Sequence, residues 1–357
     1  MPKPLCPCGH WACRRFVVFE RFRLAELGAR VLSAPMAGGP STPALAAAVT
    51  NAGGLGFLAG GTLSAGDLAD DILAARRLTS GALGVNLFVP QESVSSRQQL
   101  AAFASSLQRD AEFYGVALGE PSHGDDEWDA KLEVVCALRP EVVSFTFGSP
   151  GAAQCRRLGA AGILTLATVT TIREAVIALG CGVDALVAQG PEAGGHRATF
   201  DPLAVPSDNP LDDLVAALVA CFDCPVVAAG GVGSHDDVRR LRDAGAAAVQ
   251  LGTAFLLANE AGTNSVHRAA LCDPRFTETV LTRAFTGRYA RALRNRFIDM
   301  HDDDATFGFP EVAMMTGPIQ AAAVKLGDPH GVGMWAGTAF RTARTGSAAD
   351  IVRALAD

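Results

Sequence analysis

Residues 225–255 read "PVVAAGGVGSHDDVRRLRDAGAAAVQLGTAF". A short β-branched run (225–231) stops at a glycine cluster, helix-forming residues follow over 234–245, and a second apolar run closes the segment at 247–255. Strand, helix and strand within some thirty residues make a βαβ unit, whose two strands lie parallel in one sheet. Upstream the alternation repeats. Strand runs are expected at 30–36, 55–60, 83–89, 141–148, 162–169 and 184–190, and helical stretches at 42–53, 65–79, 96–115, 127–138, 151–159, 171–180 and 211–222. Pro43 suits a first helical turn and Gly53 a helix stop. Eight strands, each followed by helical sequence, predict an α/β fold of the closed (β/α)8 TIM-barrel type. An open doubly wound sheet is the runner-up, and it lacks the expected "GxGxxG" after its first strand. The division expected is an N-terminal extension over 1–20, a barrel over 21–256 and an appended C-terminal helical region over 257–357, packing near the barrel mouth.

Composition bounds the function. With 357 residues, 49% hydrophobic and 19% charged, the chain is long and apolar enough for a large core. A net charge of −7 argues against a mainly electrostatic nucleic-acid binder. No apolar run reaches the roughly 18 residues of a membrane span. The first sixteen residues lack the apolar core of a secretory signal. Nine cysteines, an odd number, fit reduced thiols in a cytoplasmic protein better than a disulfide framework.

In a (β/α)8 barrel the chemistry sits at the C-terminal ends of the strands. There the sequence places "APMAGG" (34–39), Asn86, Gln189 with "GPEAGGHR" (190–197), "GGVG" (230–233) and "QLGT" (250–253). Glycines after the seventh and eighth strands form a phosphate cradle, because backbone N–H groups approach an anion where no Cβ intervenes. The helix from Ser234 would add its positive end, with Asp236 and Asp237 facing solvent. The alternative is that these glycines serve tight turns only. Asn86 and Gln189 are amides in apolar strands, and they either satisfy the fold or read the edge of a planar cofactor. His196 can move protons near neutrality, and Gly194 and Gly195 let the backbone approach a flat ligand. The competing reading is an exposed, inert loop histidine.

Six segments in order, "APMAGGPSTPALAAAVTNAGGLG", "GVNLFVP", "VVSFTFG", "GVDALVAQGPEAGGHRATF", "VVAAGGV" and "AVQLGTAFL", together resemble the nitronate monooxygenases, formerly called 2-nitropropane dioxygenases. The resemblance runs from about residue 22 to about residue 345. It implies an FMN-dependent enzyme in which Ala34, Pro35 and Met36 lie against the flavin ring and Asn86 and Gln189 bind its polar groups. Gly194 and Gly195 would pass close to the cofactor. Gly230, Gly231, Gln250, Leu251, Gly252 and Thr253 would hold its phosphate end. His196 matches the family's catalytic histidine. The implied reaction is oxidation of a nitronate, or of a nitroalkane deprotonated by His196, by O2 to a carbonyl compound and nitrite. Propionate 3-nitronate is the implied substrate, and no nucleic acid, membrane or metal is involved. A homo-oligomer is compatible with this reading. The same flavin barrel serves NAD(P)H-using reductases of quinones and enoyl thioesters, which is the alternative activity.

Other features are read more plainly. Cys6, Cys8, His10 and Cys13 are spaced more tightly than paired zinc knuckles and are not taken as a metal site. Cys221 and Cys224 fall at a helix end and are read as small buried residues rather than a redox pair. Arginines at 283, 288, 291, 294 and 296 show no single helical face. They are read as a solvated surface, the other reading being a basic patch that meets an anionic substrate. His123 and His301 are expected to be loop histidines. The insertion at 116–126 and "HDDD" (301–304) receive no assignment.

Overall fold

The structure, a computed structural model, describes residues 28–356. The N-terminal extension with Cys6, Cys8, His10 and Cys13 lies outside the described residues.

The expected barrel strands form: β1 (Val31–Ser33), β2 (Gly56–Ala59), β3 (Leu83–Phe88), β4 (Val142–Thr146), β5 (Leu164–Val169) and β6 (Ala185–Gln189). A two-residue strand, β7 (Gly195–His196), then leaves the barrel before β8 (Val226–Ala229) and β9 (Ala248–Leu251) complete it. The order is β1-β9-β8-β6-β5-β4-β3-β2, parallel throughout. Its two ends meet where Ser33 N donates to Leu55 O (3.0 Å) and Leu55 N to Val31 O (3.0 Å), so the sheet closes into a TIM barrel.

Strand side chains alternate in direction. Outward residues such as Val31, Leu186, Val249 and Leu251 join the helix-facing core, and Val85, Val143 and Phe145 form its continuation. Inward residues Leu32, Phe57, Val142, Leu166, Val187, Val227 and Ala248 fill the barrel floor. The covering helices are α1 (Pro43–Asn51), α2 (Ala65–Leu78), α3 (Arg97–Ser106), α4 (Gln108–Tyr114), α5 (Trp128–Leu138), α6 (Ala152–Ala160), α7 (Ile172–Cys181), α8 (Leu211–Cys221) and α9 (His235–Asp243). Their starts follow local chemistry. Thr42 caps α1 with Pro43 in its first turn, and Thr171 and Glu174 form a capping box on α7. The single helix expected over 96–115 is interrupted at Leu107. There the Ser106 hydroxyl bonds back to Phe103 O (2.8 Å), a local bond that competes with helix continuation.

Beyond β9 come α10 (Ser265–Cys272), the antiparallel pair β10 (Thr279–Thr282) and β11 (Ala290–Leu293), α11 (Arg296–His301), α12 (Glu311–Leu326) and α13 (Ala348–Ala356). The region is thus helical with a hairpin added, and β11 pairs with β7, so it lies against the barrel mouth. The final helix does not belong with this cap. It packs on α1, α9 and β1, where the eighth barrel helix should stand. Residues 257–347 thus run as an excursion between the eighth strand and the helix that follows it around the barrel. The insertion at 116–126 is strapped to the same excursion, with Gly119 N donating to Met315 O (3.2 Å) and His123 facing Glu311 (3.3 Å). His301 is not a loop histidine. It is buried in α11 and bonded to Asp110 (2.8 Å). No helix among the described residues is long and apolar enough to cross a membrane.

Candidate active site

Towards the C-terminal ends of the strands the inward positions change character. The apolar floor gives way to Asn86, Ser144, Thr146, Thr168, Gln189 and Gln250, placed inward by the alternation. Asn86 Nδ2 donates to Ser144 O (3.2 Å), Ser144 Oγ (2.9 Å) and Thr146 Oγ1 (3.0 Å), which locks the amide against β4. Gln250 is 6% exposed and its Nε2 is buried with no hydrogen-bond partner. A buried amide donor left unpaired is costly, and this one points into the polar layer. Ala34, Pro35 and Met36 are half-buried beside it. Ala34 N donates to Leu251 O (2.8 Å) and Met36 N to Ser41 Oγ (2.8 Å).

Gln189 is held by the segment that follows it. Its Nε2 donates to His196 O (2.9 Å), while its Oε1 accepts from Ala198 N (2.9 Å). The amide therefore clamps the segment that carries His196. Leu251 turns its side chain to the helices, and its carbonyl accepts from Ala34 N.

His196 lies on β7, paired with Ala290 of β11. Its Nε2 is 3.0 Å from Thr286 Oγ1. The residue as a whole is half-buried, but its ring is enclosed by Phe309 (5.1 Å between centroids), Phe147 (5.6 Å) and Trp335 (5.7 Å). Phe88 completes this wall, 4.7 Å from Phe147. Burial, and secondly the charge of Arg288, push the imidazole down to about 3. The ring is neutral at physiological pH.

The glycines divide by function. A Cβ at Gly194 would lie 2.5 Å from the backbone of Ala336 and Gly337, so this glycine exists for the approach of two protein segments. Gly195 (φ +74°) has open space before it. Gly230 (φ +123°) and Gly231 (φ +65°) turn the chain after β8, and a Cβ at Gly231 would meet Glu192 Cβ at 2.7 Å. Gly252 stands opposite Ala34 and Met36, and Thr253 Oγ1 accepts from Gly337 N (2.9 Å). Asp237 at the start of α9 is partly exposed, and its Oδ2 accepts from Gly233 N (3.1 Å), Ser234 N (3.1 Å) and Ser234 Oγ (2.8 Å), closing a capping box.

The arginine run splits. Arg294 is exposed and paired with Glu278 and Asp299, as a surface reading requires. Arg288 is buried, and half-buried Arg291 donates to Pro191 O (2.8 Å) in the loop before His196. These two were read with the rest of the run as surface. Thr286, Phe309 and Trp335 beside His196 were not singled out at all, and the one local signal in this region is "ARAL" (290–293), which sets Arg291 inside an otherwise apolar strand. Elsewhere, a surface groove of about 390 Å³ holds Arg275, Arg294 and Arg296. All three are already paired, with Asp273, with Glu278 and Asp299, and with Asp110. Among the described residues no group of three or more His, Cys, Asp or Glu side chains could hold a metal ion.

The profile of the family described as Nitronate monooxygenase matches residues 24–357. A nitronate monooxygenase of Pseudomonas aeruginosa is 38% identical over 95% of this chain and 98% of its own length. A probable nitronate monooxygenase of Staphylococcus aureus is 35% identical over 88% and 90%. Among solved structures, nitroalkane oxidase from Streptomyces ansochromogenes superposes with a TM-score of 0.88 at 43% identity, covering 92% of this chain and 94% of that one. FabK from Thermotoga maritima shares the fold at 24% identity, with a TM-score of 0.70 and coverage of 93% of each chain. The chain belongs to the nitronate monooxygenase family of oxidoreductases.

Proposed function

We propose that this protein oxidises alkyl nitronates, propionate 3-nitronate among them, with O2 to a carbonyl compound and nitrite, using FMN at the barrel mouth. The observation that carries this reading is a neutral histidine in an aromatic chamber directly above a polar layer that contains an unpaired amide donor. The donor set suits a flavin. Gln250 Nε2 needs an acceptor, and Gly252 presents only backbone beside Ala34 and Met36. The turn at Gly230–Gly231, together with Gly252–Thr253, would offer backbone to a phosphate. Bound there, FMN would supply the electron-accepting chemistry that nitronate oxidation requires.

The remaining work falls to the chain's own residues. The Thr286 hydroxyl reaches both His196 Nε2 (3.0 Å) and Arg288 O (3.2 Å). That contact fixes the orientation of the imidazole, whichever of its nitrogens carries the hydrogen. Gln189 fixes the backbone on which the ring stands. Phe88, Phe147, Phe309 and Trp335 exclude water from the chamber. A ring held at about 3 takes a proton only as negative charge develops beside it, which is the situation of a nitroalkane losing its α-hydrogen.

His196→Asn tests this. Turnover of neutral nitroalkanes should fall by roughly 10²–10⁴, while preformed nitronates are affected far less. Equal loss on both refutes the base role. NADH consumption without nitronate-dependent oxygen uptake would overturn the oxidase reading in favour of a reductase.

A further inference from the structure

We infer that Arg288 is a specificity-determining residue, a buried cation without an ion-pair partner that makes the mouth favour anionic nitronates over their neutral nitroalkane conjugates. The inference rests on the function proposed above.

Arg288 is 2% exposed. Its Nη1 donates to Gln91 Oε1, and its Nη2 to Thr199 O and to Thr199 Oγ1 (3.2 Å). Its Nε is buried without a partner. Every acceptor is neutral, so none cancels the charge. The nearest carboxylates, Glu174 and Asp201, act only at longer range and are engaged elsewhere. Glu174 takes hydrogen bonds from Thr170, Thr171 and Phe200, and Asp201 from Leu203. Exposed Arg240, Arg275, Arg294 and Arg353, by contrast, each have a carboxylate partner.

A buried, unpaired charge is costly, and an apolar residue of similar volume would serve stability as well or better. The surroundings are also strained in its favour. The guanidinium lies 3.9 Å from the centre of the Phe147 ring, and Phe147 adopts φ +74°, rare for a bulky residue. The same ring borders the chamber, with the His196 ring 5.6 Å from Phe147. Arg288 thus packs against the aromatic wall. From there it sets the potential in a water-poor space where charge is weakly screened. A unit charge within about 10 Å, at an effective dielectric near 20, favours an anion by on the order of 10- to 20-fold.

The test uses the flavin-loaded enzyme with ethylnitronate and nitroethane as matched substrates. In Arg288→Ala the ratio of kcat/KM, nitronate over nitroalkane, should fall about tenfold. Added guanidinium should restore it, and urea, its neutral isostere, should not. Equal rescue by urea shows that the hydrogen bonds to Gln91 and Thr199 matter rather than the charge, and overturns the inference, as does an unchanged ratio. Should the variant not fold, inhibition of the wild type decides: acetate must bind about tenfold more tightly than acetamide, and equal binding refutes the idea. A wild type that oxidises neither substrate defeats the proposed function itself, an outcome distinct from an unchanged ratio.

Discussion

Substituting Gly194 by alanine tests whether the loop that carries His196 is positioned by protein contact or merely allowed to flex. The added Cβ would lie 2.5 Å from Ala336 C and Gly337 N and 2.8 Å from Ala336 Cα. All three are backbone atoms, so no side-chain rotation relieves the overlap. Ordinary contact starts at 3.4 Å, and the seam must therefore open by about 0.9 Å. Hydrogen bonds from Thr338 N to Glu192 O (3.0 Å) and from Gly337 N to Thr253 Oγ1 (2.9 Å) resist that opening. Overpacking of this kind costs roughly 1–3 kcal/mol, or a fall of a few degrees in Tm. Because His196 follows two residues later, a displacement approaching 1 Å should lower kcat/KM for ethylnitronate by about 10²-fold. Oxygen uptake, thermal unfolding and flavin content measured on the same preparations separate the effects. Gly195→Ala is the comparison. No atom lies within 4 Å of its Cβ, and only the left-handed backbone (φ +74°) opposes it, at about 1–2 kcal/mol. Its strain is local, and its loss of activity should be the smaller. A Gly194→Ala enzyme with wild-type kcat/KM and Tm would refute the reasoning.

Two further outcomes complement the His196 and Arg288 tests. Gln250→Leu removes an amide donor that the protein alone does not satisfy, so flavin dissociation should rise about tenfold while the apoprotein loses no stability. Unchanged flavin affinity in a fluorescence titration would exclude contact between Gln250 and the cofactor. His267, whose Nε2 also lacks a partner, is pushed down to about 4 by burial. The unfolded chain takes up a proton near pH 6.5 that the native state refuses, so stability falls as pH drops from about 6.5 to about 4 and the loss stops below that. His267→Leu should flatten this part of the pH dependence in urea unfolding, and an unaltered slope would show that His267 does not contribute.

The barrel was legible because both faces of its strands are buried, so each appears as an apolar run punctuated by glycine or proline. Asn86, Gln250 and His196 could be found as polar interruptions at the ends of such runs. A sequence does not say what a polar side chain bonds to. Gln189 and Asn86 look alike as strand amides, yet one clamps the His196 backbone and the other locks onto β4. Asp237 likewise turned back on its own helix end. Thr286, Phe309 and Trp335 were invisible for another reason, and Arg288 stood out only as one of a run of arginines. They reach the mouth through the pairing of β11 with β7, a contact across almost a hundred residues that leaves no local periodicity. The place of α13 was hidden in the same way, since the sequence suggests that it belongs with its chain neighbours.

That last helix has a consequence for how the chain reaches its native state. The outer layer between α1 and α9 is completed only by residues 348–356, after the whole excursion has been made. During synthesis the barrel therefore waits, with apolar surface uncovered, for a segment that arrives after β9 and everything between. A piece ending near residue 256 would hold all eight strands but leave the apolar surface between α1 and α9 without its helix. The pairing of β7 with β11 likewise places His196 at the junction of barrel and cap, so the site is assembled only once residues 290–293 have been made.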